Sequence, residues 1–269
     1  MHAPLGRLPA LGAALLTGCG EGPMDETLVD ELRVLGIRAE PPEAAPGEPV
    51  ALTALVADPA GTGADVLLWH CTDLGDGCLE PEGTNTWTAT LDGDEVTAAA
   101  TVPEALAPFA GAEPLRATVL WALACEPGLC PPVEDPAAWD LSDPGAWLVD
   151  LPLEGVSLAF STFAVSSRET RAANPVLAHE GPEPIVAGPG ATVELPFSAS
   201  LDAPATADTL LFGFATAGGF GQIEWVVGDD GAVAPTWYAP EEPGSARLYV
   251  VLQDGEGGVD WWVGEAEVE

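Results

Sequence analysis

Lysine is missing from this chain altogether, and seven arginines are its only strong cations against 43 acids. A surface that acidic repels nucleic acid and anionic lipid head groups, which excludes both as partners. Histidine is scarce: His2, His70 and His179 are the whole set. None stands in an H-E-x-x-H pattern, and neither G-x-S-x-G nor a phosphate-cradling glycine loop occurs, so the chain reads as a non-enzyme. No apolar run approaches the roughly 20 residues that cross a bilayer. No segment longer than about ten residues carries a helical stripe, which argues against a bundle.

What is present points elsewhere. Apolar residues make up 47%, too many for a disordered acidic tail, and 31 glycines with 27 prolines announce many turns. Residues 1–18 hold one cation, Arg7, then an apolar run from Leu8 to Leu16 broken by Pro9, then small residues. That is the layout of a secretory leader. The stretch Leu16-Thr17-Gly18-Cys19 resembles the lipobox of bacterial lipoproteins. The resemblance implies cleavage before Cys19, lipid on its thiol, and a mature chain anchored in the bacterial cell envelope. In such lipoproteins an Asp after the cysteine retains the protein at the inner membrane; Gly20 stands here, which points to the outer membrane. Cleavage removes Arg7 and no acid, so the mature chain is more acidic still. Residues 19–27 read as a short lipidated tether, and on that reading the first domain sits next to the membrane.

From Leu28 to residue 167 the pattern is one of short strands. Leu32–Ile37 is the first, with Gly36 a bulge where the apolar phase switches. Val50, Leu52, Ala54 and Val56 alternate with period two, and Val66–Cys71, Trp87–Leu91 and Val96–Val102 follow. Leu115, Ala117, Val119, Trp121 and Leu123 form a long sixth strand, and Val156, Leu158 and Phe160 begin a seventh. Residues 168–174 are polar and read as a linker. A second series runs over 175–269: Val176–Ala178, Val193/Leu195/Phe197, Leu210/Phe212/Phe214, Ile223–Val227, Ala234–Tyr238, Leu248/Val250/Leu252 and Val259–Val268. Short strands between regular turns predict an all-β chain of two tandem immunoglobulin-like β-sandwiches after the leader.

The segments PPEAAPGEPVALTALVADPAG and LLWHC resemble bacterial immunoglobulin-like domains, and TWYAPEEPGSARLYVVLQDGEGGVDWW is similar to surface immunoglobulin-like and PKD-like modules. The whole layout resembles uncharacterised lipoproteins of myxobacteria and their relatives. These are turn and core patterns, so they imply a fold rather than an activity.

Beyond Cys19, the cysteines Cys71, Cys78, Cys125 and Cys130 are an even set, which in an oxidising compartment predicts two disulfides. Three pairings exist. If the strands ending near Cys71 and Cys125 are antiparallel neighbours, those ends lie at opposite poles, which favours Cys71–Cys78 and Cys125–Cys130. The spacings do not match a zinc site. Asp254, Glu256 and Asp260 flank a glycine-rich hairpin and are candidate calcium ligands, although the same pattern serves an ordinary solvated turn; no other cofactor is expected. Residues 131–151 contain Asp135–Leu141 and Asp143–Leu151, each with Asp-Pro followed by Trp, and read as an insertion with two short helical turns. Trp139 and Trp147 are candidate partner-binding anchors, or plugs for the end of the sandwich.

The resulting expectation is a lipid-anchored envelope protein with a non-catalytic binding or adhesion role toward a protein or glycan. The competing readings are a structural spacer in an envelope assembly and a hydrolase with an unrecognised site.

Overall fold

The computed structural model describes residues 26–71, 85–91, 93–102, 115–129, 154–169 and 171–269; for 69–71, 85–90 and 115–117 it describes the backbone alone. The leader, Cys19, Cys78, Cys130 and the 131–151 insertion with Trp139 and Trp147 lie outside the described residues.

In β3 (Pro49–Ala57) the alternating Val50, Leu52, Ala54 and Val56 are all buried. The strand pairs antiparallel with β1 (Arg33–Glu40) and β6 (Glu95–Thr101) in a three-stranded sheet. A second sheet takes the order β2-β8-β7-β4-β5, from β2 (Glu43–Ala44), β4 (Asp65–Cys71), β5 (Asn85–Thr90), β7 (Leu115–Cys125) and β8 (Val156–Ser166). Their facing sides enclose a core that includes Ile37, Leu52, Val56, Leu68, Leu120 and Phe163. This is immunoglobulin-like strand order. Pro41 and Pro42 break the first strand because neither can donate to a ladder. The chain then crosses to the other sheet, where β2 runs parallel to β8. The pairing of β1 slips between Val34 and Gly36, at the expected bulge.

The second sandwich repeats the plan. β10 (Ile185–Ala187), β19 (Val259–Val268), β18 (Gly244–Gln253), β13 (Leu210–Ala215) and β15 (Glu224–Val226) form one sheet in that order, with β10 parallel to β19. The facing layer comes in two pieces. One joins β9 (Val176–His179), β12 (Phe197–Ser200) and β16 (Ala232–Val233); the other joins β11 (Thr192–Glu194), β14 (Gly219–Phe220) and β17 (Thr236–Tyr238). The run Val193/Leu195/Phe197, expected as one strand, is divided between β11 and β12. Pro196 removes a donor there, and Pro235 does the same between β16 and β17. The Leu195 N–H donates to the Pro235 carbonyl across the gap. Trp237, Phe220, Leu195, Leu248 and Leu252 fill this core.

The two sandwiches are consecutive in sequence but stacked in space. The outer face of the first one's three-stranded sheet, with Leu35, Leu55 and Ala57, meets the outer face of the second one's five-stranded sheet, with Phe214, Tyr249, Val251 and Trp261. A third apolar cluster is thereby sealed between them. A Cβ added at Gly36 would lie 3.4 Å from the Val251 side chain, so the bulge also serves this close approach.

Two segments expected to be plain connectors are built into the seam. The tether's end and the residues that follow it do not run along the first sandwich alone: Phe220 N–H donates to the buried Thr27 hydroxyl, Leu28 bridges to Ala215, and the Val29 N–H donates to the Ala215 carbonyl. The 168–174 linker is likewise held. Arg171 pairs with Glu48, Ala172 N–H donates to Glu43, and Asn174 donates to the Ala39 carbonyl while accepting from Val259 N–H.

Candidate functional site

The long apolar alternation of β7 turns out to mark the outside of its sheet. The inward side of β7 is Leu120, Ala122 and Ala124. Trp121 and its register partner Phe160 on β8 are on the outward side, since successive side chains point to opposite faces. Their ring centroids are 5.3 Å apart at an interplanar angle of 48°. Trp121 is half-buried, whereas Phe160 is 56% exposed and Leu158, two residues away, 38%. On the same face Val119 and Leu123 are buried. Apolar residues at both phases of β7 were the available signal: a strand that is apolar on both sides has something to cover or to contact on each. Aromatic rings standing beside hydroxyls such as Thr162, also exposed, can stack on the apolar face of a sugar or receive an apolar side chain.

The cysteine geometry is partly on view. Cys125 is buried. In the antiparallel pairing of β4 with β7, Asp65 faces Cys125 and Cys71 faces Val119. Cys71 and Cys125 therefore stand six strand positions apart, about 20 Å, beyond the reach of one bridge. The candidate partners of Cys125 are then Cys130 and Cys78. His70 is on β4 next to Cys71, with its backbone opposite Asn85 and Leu120.

The proposed calcium ligands do not converge. Asp254 Oδ1 accepts from Glu256 N–H at 2.7 Å and from Gly258 N–H at 2.9 Å, which closes the hairpin. Burial pushes the Asp254 carboxyl above its ordinary range. Asp260 faces another way, with Oδ1 2.6 Å from Arg38 Nη1 and Oδ2 accepting from Leu177 N–H. N–H donors thus engage Asp254 Oδ1, and a guanidinium and an N–H engage the two Asp260 oxygens. Among the described residues no three His, Cys, Asp or Glu side chains are placed to hold a metal. The hairpin instead braces the seam, with Gly257 against the Thr162 carbonyl of β8.

Among the described residues, a set of charged and aromatic side chains crosses that seam. Arg38 stacks on Trp261, whose indole N–H donates to Glu95 at 2.6 Å. Asp94 pairs with Arg247 and accepts from the Tyr249 hydroxyl. Burial raises the Asp94 carboxyl, with Arg247 opposing, and burial likewise raises the Tyr249 phenol. Arg33 sits over Phe214, where burial disfavours its charged form. Toward the outer edge, the Arg171 hydrogen bond holds the Glu48 carboxyl below its usual range. Elsewhere His179 is buried between Phe197 and Trp262, at 5.1 and 4.8 Å, with no hydrogen-bond partner for either ring nitrogen. Its Nδ1 stands 3.5 Å from Glu183 Oε1. At the end where the chain enters, Asp30, Glu31, Glu126 and Glu154 line an open pocket of about 380 Å³. Leu129 and Glu154, which flank the 131–151 insertion in sequence, belong to the same end.

No family model matches the chain, and no curated protein matches it. Among solved structures it is similar to the D0-D1 domain of intimin, with a TM-score of 0.27 and 12% identity over 87% of this chain and 97% of that one. It is also similar to a tetra-tandem repeat from the extending region of a large adhesion protein, with a TM-score of 0.28 and 12% identity over 90% of this chain and 50% of that one. A chimeric titin Z1Z2 gives a TM-score of 0.25 and 12% identity over 90% and 96%. At scores this low the immunoglobulin-like assignment rests on the strand pairing of the chain itself.

Proposed function

We propose that this chain is a lipid-anchored protein of the bacterial cell envelope whose role is non-catalytic binding or adhesion through its first sandwich. The anchor reading is supported by Leu16-Thr17-Gly18-Cys19 at the end of a short apolar leader. The binding reading is carried by one observation: Phe160 is 56% exposed beside Trp121 on an ordered sheet face. A solvent-facing aromatic on a rigid strand is a poor choice for solubility and a good one for an anchor. The partner class is a protein or a glycan, without net negative charge because the surface is so acidic. The spacer reading has its own support in the seam, which packs the two sandwiches against each other.

The test offers residues 20–269, immobilised, to envelope extracts and to an array of neutral and basic glycans, beside the variant Phe160→Ser. Capture that Phe160→Ser loses, at an unchanged melting temperature, supports binding through this face. Equal capture by both proteins places the contact elsewhere, and capture by neither favours the spacer.

A further inference from the structure

The chain enters the fold at one pole of the stacked sandwiches. Thr27 is fully buried and accepts from Phe220 N–H, Leu28 bridges to Ala215, and Arg33 Nη1 donates to the Glu26 carbonyl. Glu26 is therefore fixed beside the start of β1. Ala60, Glu126 and Glu154 line the same pocket as Asp30 and Glu31, so the turn after β3 and the adjoining ends of β7 and β8 share this pole. The far pole is where β1 ends. Asn174 bonds to Ala39 and Glu40 there, and Ala173 N–H donates to Asp202. Arg33 and Glu40 are seven strand positions apart, about 23 Å.

Only residues 20–25 separate Cys19 from Glu26. Fully extended, that stretch reaches about 25 Å. Laying the far pole on the bilayer would consume nearly all of that length in running back along β1. The near pole needs no such detour.

We propose that the pole carrying Glu26, Asp30, Glu31, Ala60 and Glu154 faces the lipid bilayer, and that its carboxylates hold the body off an anionic surface. The far pole, with Glu40, Asn174 and Asp202, is the presented end. This orientation rests on the lipid-anchor reading of Cys19, and the experiment separates the two.

The full chain, made with its leader in a bacterial host, is reconstituted into vesicles. In parallel, residues 20–269 with an amino-terminal hexahistidine tag are held on vesicles of nickel-chelating lipid. Each preparation carries a fluorophore on Ala60→Cys or on Ala203→Cys, both exposed positions, with the unsubstituted chain as the labelling blank. Energy transfer to a head-group acceptor is read. Stronger transfer from position 60 than from 203 in the tagged chain is the expected result; equal or reversed transfer overturns the orientation. A full chain that stays in the soluble fraction refutes lipidation of Cys19, while the tagged chain still decides which pole lies toward the attachment point. On phosphatidylglycerol vesicles, transfer from position 60 rises as salt screens the carboxylates. Transfer that does not change with salt refutes the repulsion.

Discussion

The guanidinium of Arg38, in the first sandwich, lies 4.3 Å from the centroid of the Trp261 ring of the second. The same guanidinium is 2.6 Å from Asp260. One side chain therefore makes a cation–π contact and an ion pair across the seam, both partly withdrawn from water. Replacing Arg38 by Ala removes both and leaves Asp260 unpaired, at an expected cost of about 2 kcal/mol. Lysine restores less than the full amount because it lacks the flat face that stacks on indole. Urea unfolding of the three proteins checks this; an Ala variant as stable as the parent would show that the seam does not depend on Arg38.

Asp94 gives the seam a pH dependence of unusual sign. Burial raises its carboxyl above the ordinary 3.8. The folded state then binds the proton more tightly than the unfolded chain. Its contribution is present in full below 3.8 and is lost as pH rises through the raised value. Asp94→Asn removes that titration while keeping an acceptor for the Tyr249 hydroxyl. The parent should therefore gain stability over Asp94→Asn as pH falls from neutral into the weakly acidic range. A stability difference that stays flat with pH would refute the assignment. Comparing the two proteins cancels the general relief of repulsion that so acidic a chain experiences in acid.

His179 carries two buried ring nitrogens with no hydrogen-bond partner. His179→Phe keeps a ring against Phe197 and Trp262 and removes the desolvated polar atoms. Thermal melting at neutral pH should show stability unchanged or raised by about 1 kcal/mol. A clear loss would indicate that a nitrogen is hydrogen-bonded in solution.

Peptide mapping without reductant should join Cys125 to Cys130 and Cys71 to Cys78. Closing so short a loop is worth about 2 kcal/mol in the chain-entropy account, so Cys125→Ser with Cys130→Ser should lower stability by that order. Recovery of a Cys71–Cys125 peptide would contradict the register of β4 and β7.

The core-facing side of a strand was legible in the sequence, as Val50, Leu52, Ala54 and Val56 of β3 illustrate. Gly36 was legible too, because a change of apolar phase at a glycine is the mark of a bulge. The stacking of the sandwiches was not. In β18, Leu248, Val250 and Leu252 face the second core while Tyr249 and Val251 face the seam. A strand apolar on both sides says that two surfaces are covered without saying by what. The Asp254 hairpin was ambiguous in sequence for a related reason: carboxylates near glycines look alike whether they bind a cation or their own backbone N–H groups. The strands β2, β10, β14 and β16 are each only two or three residues long, too short for periodicity to register. Phe160 was visible as an alternating apolar residue, but exposure is a property of its neighbours.

The seam also bears on the order in which the chain is able to fold. A first sandwich folded before the second exposes Leu35, Leu55 and Ala57 on an outer face to which, of the residues before them in this cluster, only Val29 contributes. Most of their cover comes from Phe212 onward and is complete only when Trp261 and Val263 are in place. Until then the first sandwich displays an adhesive sheet face, and on the lipoprotein reading that intermediate is expected outside the cytoplasm, where it is the species most exposed to aggregation.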